Sequence, residues 1–290
     1  MLRGKARTLV LKSIGIDPIV LEFDDVMQLP IVDYGVRSRT QIGRRVNPLQ
    51  VSMYACKELG LEGITSRIYL PRLRQTETPQ YIQRAVEWLI STQKNRGNFS
   101  VWENDFPWPP ARLQPPWVSA LTEAYGALVL LETGHVEDAR KHIQSILTDF
   151  REGGVGYYSA GSLWFLEYSS NHPPLLVLNG MLQCLLILHE FAMRMRDSAL
   201  DNGFRLGYKT LKRDLGMFDA SFYTLYDSRN TPADQKYHTI HIGLLRTLHS
   251  KTGDPYLLYW ATRWAKYQRL YPFVEPAIFI RHLIRSGVDI

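Results

Sequence analysis

The chain has 290 residues, of which 45% are hydrophobic and 21% charged, a composition typical of a folded globular protein and unlike that of a disordered one. Its 34 basic and 28 acidic residues give a net charge of +6, which favours an anionic partner. The sequence contains no zinc-finger spacing, basic heptad region or RNP-like strand pair, so we expect no nucleic-acid partner. Its longest apolar runs are too short to span a membrane.

The N-terminal segment is basic, but Lys12 interrupts its apolar run and no small-residue cleavage site follows. This pattern is unlike a signal peptide and predicts a cytoplasmic protein. The two cysteines, Cys56 and Cys184, lie in apolar helical patterns, which is typical of free buried thiols.

Residues 1–80 predict a small strand-and-helix region that packs on the main domain. A β-branched run at 19–23 indicates a strand. A helix is predicted from Pro48 to Leu59, because Asn47 is a good N-cap and proline is favoured in the first turn. Another helix is predicted to open at Thr78.

Residues 81–290 predict a mainly α domain built from helical hairpins. The paired helices are expected at 119–132 with 136–150, at 179–195 with 200–215, and at 238–250 with 256–270. Glycine- and aromatic-rich inserts at 153–168 and 216–226 predict β-hairpins between them. Because this order recurs after about sixty residues, we expect an incomplete α/α toroid. The proline- and tryptophan-rich stretch 103–117 predicts an extended loop at the rim of a cleft.

Several common catalytic motifs are absent. The glycine run at 153–156 lacks both the Lys-Ser/Thr of a P-loop and the strand-turn-helix context of a dinucleotide site. No serine occupies a G-x-S-x-G elbow. His238 and His241 lie three residues apart on a predicted helix, but no third ligand follows at a metal-binding spacing. We therefore expect neither a metal nor a cofactor.

A series of short segments occurs in an order that resembles a known family. The segments are N-P-L-Q from 47, W-L from 88, P-W from 116, L-E-Y from 166, V-L-N-G from 177, Y-D-x-R from 226, Y-H-T-x-H-I from 237 and W-x-x-Y from 264. Over about residues 47–267 this order resembles the C-terminal catalytic domain of the D-glucuronyl C5-epimerases. Those enzymes interconvert D-glucuronate and L-iduronate in heparosan and heparan sulfate-type chains.

The resemblance implies a cofactor-independent isomerase that acts on glucuronate in an acidic polysaccharide or oligosaccharide. It implies that Glu167 and Tyr237 flank the sugar as the acid/base pair, and that Tyr168, Tyr226 and Arg229 position and neutralise the carboxylate. The resemblance leaves open which two of four residues are the bases: Glu167, Tyr168, Tyr226 and Tyr237.

Further residues follow from the same resemblance. Asn179, His238 and His241 are assigned to substrate binding, with Asn179 and His241 supporting the acid/base residues. Trp117 is assigned to the cleft that binds the polysaccharide chain. Glu123 stands where the family leads us to expect a glutamine. The resemblance also implies a homodimer, and the proline-rich loop and the C-terminal segment offer apolar surface for one.

These residue types suit the chemistry independently of the family. Inversion at C5 removes a proton α to a carboxylate and returns one from the opposite face, which needs two acid/base groups and a neutralising cation. The guanidinium of Arg229 matches a planar carboxylate. Because the free pKa of tyrosine is about 10, a neighbouring guanidinium is expected to lower the pKa of a catalytic phenol.

Three other activities fit parts of the pattern. A polysaccharide lyase would use the same C5 carbanion to expel the 4-O substituent, with a tyrosine as the acid. A hydrolase would use a carboxylate pair, for which Glu167 and Asp227 are the obvious candidates. A non-catalytic carbohydrate-binding protein would require none of these residues as acids or bases.

Overall fold

A computed structural model describes most of the chain. It covers residues 20–24, 26–37, 40–65, 78–169 and 173–274. The end of the predicted C-terminal apolar segment, 275–290, lies outside the described residues.

The N-terminal part contains two small antiparallel sheets. Strand β1 (Val20–Phe23) pairs with β2 (Pro30–Asp33), which in turn pairs with β5 (Arg44–Val46). Between β2 and β5, the short strands β3 (Val36–Arg37) and β4 (Thr40–Gln41) form a separate ribbon. The strand expected at 19–23 is therefore present as β1.

The first helices begin where the sequence predicts. Helix α1 (Pro48–Glu58) starts after Asn47, whose Oδ1 accepts a hydrogen bond from the backbone N–H of Leu49 at 2.8 Å. This contact satisfies one of the unpaired donors of the first turn. A short α2 (Glu62–Thr65) follows, and α3 (Thr78–Thr92) opens at the predicted threonine.

The three predicted helical hairpins are present, which confirms the mainly helical fold. They consist of α4 (Ala120–Glu132) with α5 (Val136–Leu147), α6 (Leu178–Met195) with α7 (Ser198–Asp214), and α8 (Gln235–Thr252) with α9 (Pro255–Tyr267). Helices α4 and α6 are buried around most of their surface, whereas α5 and α7 bury a single face. The first helix of each hairpin packs on the first helix of the next.

The first predicted β-insert is a regular hairpin. Strand β8 (Gly156–Ser159) pairs antiparallel with β9 (Ser162–Phe165), within the predicted range 153–168. A smaller pair, β6 (Lys94–Asn95) with β7 (Ser100–Val101), lies just after α3.

The prediction of a two-stranded hairpin at 216–226 is wrong. The segment begins as a 3-10 turn at Leu215–Phe218, continuous with α7, and an isolated bridge joins Asp219 to Thr224. The backbone N–H of Tyr226 then donates to the carbonyl of Thr231 at 2.7 Å. The end of the segment therefore pairs with the loop that follows it.

Buried apolar side chains form two separate clusters. The larger one runs through the helices. The smaller one joins the N-terminal strands to the proline-rich loop and to the chain that leads into α6, and it comprises Val32, Tyr34, Ile42, Phe106, Ala111, Leu113, Trp117, Leu175 and Val177. Tyr168 and Tyr226 pack against the smaller cluster. Within the described part of the chain, no helix is both long and apolar enough to cross a membrane.

Candidate active site

Glu167 lies on the extended segment that follows β9. On either side of it, the backbone N–H of Ala120 donates to the carbonyl of Leu166 at 2.9 Å, and that of Ser169 donates to the carbonyl of Val118 at 3.0 Å. These bonds fix the segment against the start of α4. The Glu167 side chain is 7% exposed.

Tyr226 and Asn179 donate hydrogen bonds to different oxygens of the Glu167 carboxylate. Oε1 accepts from the hydroxyl of Tyr226 at 3.0 Å, and Oε2 accepts from Nδ2 of Asn179 at 3.1 Å. Gly180 permits this approach to α6, because a Cβ at that position would lie 2.9 Å from Glu167 Oε2. The glycine of V-L-N-G thus has a steric role beside the carboxylate.

The surroundings of Glu167 change its acidity. Burial raises the pKa of its carboxyl to about 7, and the charge of Asp227 acts in the same direction. Hydrogen bonds from Tyr168, Tyr226 and Asn179 oppose this shift without cancelling it. A carboxyl group with a pKa near neutrality can both accept and return a proton at physiological pH.

The three candidate tyrosines are arranged as a contiguous group next to Glu167. The hydroxyl groups of Tyr168 and Tyr226 lie 3.3 Å apart, and the rings of Tyr226 and Tyr237 meet edge to face with centroids 4.8 Å apart. All three side chains are partly exposed. The structure therefore brings together the four residues predicted as acids and bases.

The expectation of a lowered tyrosine pKa is wrong. Burial and the nearby Glu167 charge raise the pKa of Tyr168, Tyr226 and Tyr237 above the ordinary value, and no guanidinium contributes. The physical reason is that the phenols are packed against each other and against a carboxylate. At neutral pH these tyrosines are protonated, so they act as hydrogen-bond and proton donors.

The chain that carries Tyr226 is paired with the chain that enters α6. The backbone N–H of Leu178 donates to the carbonyl of Tyr226 at 3.1 Å, and that of Ser228 donates to the carbonyl of Leu176 at 2.9 Å. This pairing holds Tyr226 beside the first turn of α6, which carries Asn179.

Arg229 follows in a turn that Asp227 organises. Oδ1 of Asp227 accepts from the backbone N–H of Arg229 at 2.9 Å and from that of Thr231 at 3.2 Å. The Arg229 side chain is exposed, and among the described residues its guanidinium forms no ion pair. Its charge is thus available at the surface, in the turn that follows Tyr226, and the Asp227 carboxylate is engaged by the backbone.

Tyr237 lies in the first turn of α8. Asp234 caps this helix, with Oδ1 accepting from the backbone N–H of Tyr237 at 2.9 Å. Asn179 and Tyr237 therefore both lie in the first turn of a long helix, α6 and α8 respectively.

His238 and His241 are fully buried, at 0% exposure, behind Tyr237. Both Nδ1 atoms contact Oγ1 of Thr224, at 3.1 and 3.0 Å, and Nε2 of His238 lies 3.0 Å from the carbonyl of Trp264. Burial lowers the pKa of His238 to about 4 and that of His241 to about 3, so both rings are neutral. In this conformation neither ring reaches a surface that a ligand could touch.

Trp117 is buried between the candidate site and the proline-rich loop. Its ring lies 6.0 Å from that of Tyr168, and its Nε1 donates to the carbonyl of Phe106 at 2.7 Å. Two clefts border the loop. One, of about 330 Å³, is lined by Trp117, Arg96 and Ser169 among others; the other, of about 620 Å³, includes Arg112.

Neither cleft is lined by Glu167 or by the three tyrosines. The 330 Å³ cleft is separated from the acid/base group by Ser169 and Trp117. Ser169 comes two residues after Glu167, and Trp117 contacts Tyr168. The structure thus places Trp117 at the junction of the cleft and the candidate site.

Sequence reasoning missed two buried polar contacts. Thr224, which joins the two histidines, lies in an aromatic stretch with no recognisable motif. Glu123 contacts His142 at 2.7 Å, and His142 also contacts Gln93 at 2.9 Å. The three residues of this second group are far apart in sequence, so no spacing pattern could reveal it.

Within the described ranges, no group of three or more His, Cys, Asp or Glu side chains could hold a metal ion. The chemistry that the site offers in these residues is that of Glu, Tyr, Asn and Arg.

Two curated relatives match most of the chain. The chain is 27% identical over 210 residues to a D-glucuronyl C5-epimerase of Caenorhabditis elegans, a match that covers 63% of this chain and 34% of that protein. It therefore spans about a third of the length of that relative. It is also 26% identical over 261 residues to an uncharacterised protein of Methanocaldococcus jannaschii, covering 82% of each chain.

A family model gives the broader relationship. The model of the D-glucuronyl C5-epimerase C-terminus matches residues 95–266, which is more than half of the chain. The matched region contains Glu167, Tyr226, Arg229 and Tyr237. The chain belongs to the D-glucuronyl C5-epimerase C-terminal family.

Proposed function

We propose that this protein inverts C5 of D-glucuronate residues in an acidic polysaccharide of the heparosan type, giving L-iduronate without a cofactor. The single observation that carries the proposal is the Glu167 carboxyl, with its pKa raised to about 7 and Tyr226 and Asn179 as donors to its oxygens. The family membership of the chain supports the same reaction.

The proposed reaction has two proton transfers. The Glu167 carboxylate removes the C5 proton from one face of the sugar, and the electron pair of the broken C–H bond delocalises into the adjacent C6 carboxylate. The phenol of Tyr237 then donates its proton to C5 from the opposite face. The Tyr237 phenolate regains a proton through the Tyr226 hydroxyl or from solvent, and Glu167 releases its proton to solvent.

The raised tyrosine pKa values suit this division of roles. A phenol that stays protonated at neutral pH is ready to donate, whereas a carboxyl group near its pKa is ready to accept. Glu167 is thus the base toward glucuronate, and Tyr237 is the acid. Tyr168 and Tyr226 keep the Glu167 carboxylate hydrogen-bonded as its charge changes during the reaction.

The developing charge on the sugar carboxylate needs stabilisation. Arg229 is exposed in the turn after Tyr226, with its guanidinium free of ion pairs among the described residues, and a guanidinium binds a carboxylate through two parallel hydrogen bonds. The N-terminal ends of α6 and α8, which carry Asn179 and Tyr237, contribute partial positive charge at the same place.

The substrate class follows from charge and from the relatives. The net charge of +6 and the clefts along the proline-rich loop, with Arg96 and Arg112 in their walls, suit an acidic chain. We assign Trp117 to the side of the cleft next to Tyr168. The name of the Caenorhabditis elegans relative supports glucuronate as the sugar.

The architecture that we propose for this activity is an incomplete α/α toroid, to which α1 contributes together with the described helices of the predicted main domain. Helices α1, α4, α6 and α8 pack in succession as an inner layer, and α3, α5, α7 and α9 each pair with one of them on the outside. Two candidate residues, Asn179 and Tyr237, lie in the first turns of inner helices, and the Glu167 segment is paired with the start of another, α4. The loops of such a fold meet at these helix ends.

A direct test is incubation of the full chain with heparosan, followed by NMR detection of iduronate. The proposal predicts new iduronate signals that grow to a constant ratio with glucuronate, with no 4,5-unsaturated product. Absence of iduronate from heparosan and from other glucuronate polymers, with the protein shown to be folded, would overturn it. Ultraviolet absorbance of an unsaturated uronate would indicate a lyase instead.

A further inference from the structure

Thr224 lies between two elements that carry candidate catalytic residues. It is fully buried, two residues before Tyr226, and its carbonyl accepts from the backbone N–H of Ala233 at 2.9 Å. Its hydroxyl reaches across to α8, where it contacts Nδ1 of His238 at 3.1 Å and Nδ1 of His241 at 3.0 Å. It is thus a side-chain link between the Tyr226 segment and the helix of Tyr237.

The hydrogen-bond partners determine the direction of each bond in this link. The carbonyl of Trp264 can only accept, so His238 carries its proton on Nε2 and presents a lone pair at Nδ1. The Thr224 hydroxyl must then donate to His238. Its oxygen is left to accept from His241, which therefore carries its proton on Nδ1.

A threonine hydroxyl is well suited to this position, because it can donate one hydrogen bond and accept another. A valine of the same shape would leave the Nδ1 atoms of His238 and His241 without this partner in a fully buried place. A serine would keep both bonds. The two substitutions therefore separate the hydroxyl from the packing of the side chain.

We propose that Thr224 is a positioning residue which, through His238 and His241, holds the Tyr237 helix against Tyr226 for proton transfer. This role rests on the proposed epimerase function. His238 follows Tyr237 directly, and His241 lies one helical turn beyond it, so both bonds act on the part of α8 that orients the Tyr237 phenol. The edge-to-face contact of Tyr226 and Tyr237, at 4.8 Å, is the distance that the link would maintain.

The catalytic test compares Thr224→Val with Thr224→Ser. For Thr224→Val we expect kcat for C5 exchange to fall at least tenfold with KM within about twofold, because binding groups are untouched and the phenol is displaced. Thr224→Ser should restore kcat to within about threefold of the original. An unchanged kcat in Thr224→Val would overturn the proposal.

Thr210→Val is the matched control. Thr210 is also a buried threonine whose hydroxyl forms two hydrogen bonds. It donates to the carbonyl of Leu206 and accepts from the backbone N–H of Leu163, both at 3.0 Å, and so joins α7 to β9. The Thr210→Val substitution should lower thermal stability and leave kcat unchanged. An equal loss of kcat in both valine variants would attribute the effect to general destabilisation and contradict the positioning role.

Two NMR measurements need no catalytic activity. Histidine nitrogen shifts of the unaltered protein should show the proton on Nε2 of His238 and on Nδ1 of His241. The reverse tautomers would overturn the link even if Thr224→Val does not fold.

Ring-to-ring NOEs between Tyr226 and Tyr237 should persist in Thr224→Ser and weaken in Thr224→Val. If the unaltered protein shows no C5 exchange, the epimerase function fails, whereas unchanged NOEs in Thr224→Val refute the positioning role itself.

Discussion

The hydroxyl of Tyr226 donates a hydrogen bond to Oε1 of Glu167 at 3.0 Å. Because burial raises the pKa of Tyr226 well above its ordinary value, this phenol is protonated over the whole range in which Glu167 titrates. The bond therefore stabilises the ionised form of a carboxylate that burial otherwise disfavours. It couples the acidity of Glu167 to the position of the Tyr226 segment.

The first prediction concerns Glu167→Gln. The amide keeps the size of the side chain but cannot accept the C5 proton, so we expect exchange at C5 to fall by about 10²- to 10⁴-fold. Glu123→Gln is the matched control, since Glu123 is also a buried glutamate but contacts His142. Steady-state kinetics and thermal denaturation of both variants should separate a catalytic loss from a structural one. Equal activity losses in the two would count against Glu167 as the base.

The pH dependence of stability provides a second prediction. The folded protein binds a proton at Glu167 more tightly than the unfolded chain does, since the pKa rises from an ordinary 4.5 to about 7. The contribution of Glu167 to stability is therefore complete below about pH 4.5 and is lost as pH rises through about 7, a difference of about 3 kcal/mol. Urea denaturation of the unaltered protein and of Glu167→Gln should diverge across this window, with the variant more stable at pH 8. Parallel curves would contradict the raised pKa.

Tyr237→Phe should abolish the second proton transfer. Removal of the phenolic hydroxyl leaves the ring contact with Tyr226 in place, and we expect kcat to fall about 10²-fold or more. Tyr256→Phe is the control, because that hydroxyl donates to the carbonyl of Lys212 in α7 and should matter only to stability. Wild-type kcat in Tyr237→Phe would exclude Tyr237 as the acid and return that role to Tyr168 or Tyr226.

Arg229→Gln tests recognition of the sugar carboxylate. The side chain is exposed, so its removal should leave the melting temperature within error, whereas KM should rise about tenfold, the effect of roughly 1.4 kcal/mol of lost binding. Arg246→Gln removes the same charge from the exposed face of α8 and should leave KM unchanged. If both variants raise KM equally, the effect comes from net charge and Arg229 has no specific contact.

Asp227→Asn distinguishes the proposed reaction from hydrolysis. The Asp227 oxygen accepts from two backbone N–H groups, a role that an asparagine oxygen can fill. C5 exchange should stay within about threefold of the original. Loss of exchange in a folded Asp227→Asn protein would point to a second functional carboxylate, as a hydrolase requires.

Local sequence signals predicted much of the fold. Asn47 and Pro48 placed the start of α1, and the hairpin β8–β9 appeared within the predicted insert, because caps and turns are determined by neighbouring residues. The prediction for the second insert, 216–226, was wrong because the last residues of this segment have their partners outside it. These residues pair with Thr231 and with the chain before α6, and partners outside the insert leave no pattern within it.

The candidate site was predictable only in part. The family resemblance identified Glu167 and the tyrosines, which the structure brings together. The pKa values of these side chains were not predictable, because they depend on burial and on which charges lie nearby. In the structure Arg229 is exposed to solvent, and the phenols lie against the Glu167 carboxylate. The hydroxyl of Thr224 could not be singled out, because its partners are 14 and 17 residues away.

The most direct test of the central claim is deuterium incorporation from heavy water. The purified chain is incubated with heparosan, and deuterium at C5 is read by NMR in both sugars. Two-base epimerisation predicts deuterium at C5 of both glucuronate and iduronate, with incorporation at least about 10²-fold slower for Glu167→Gln. Full protonation at C5 of every glucuronate polymer after incubation with the folded protein would contradict the account.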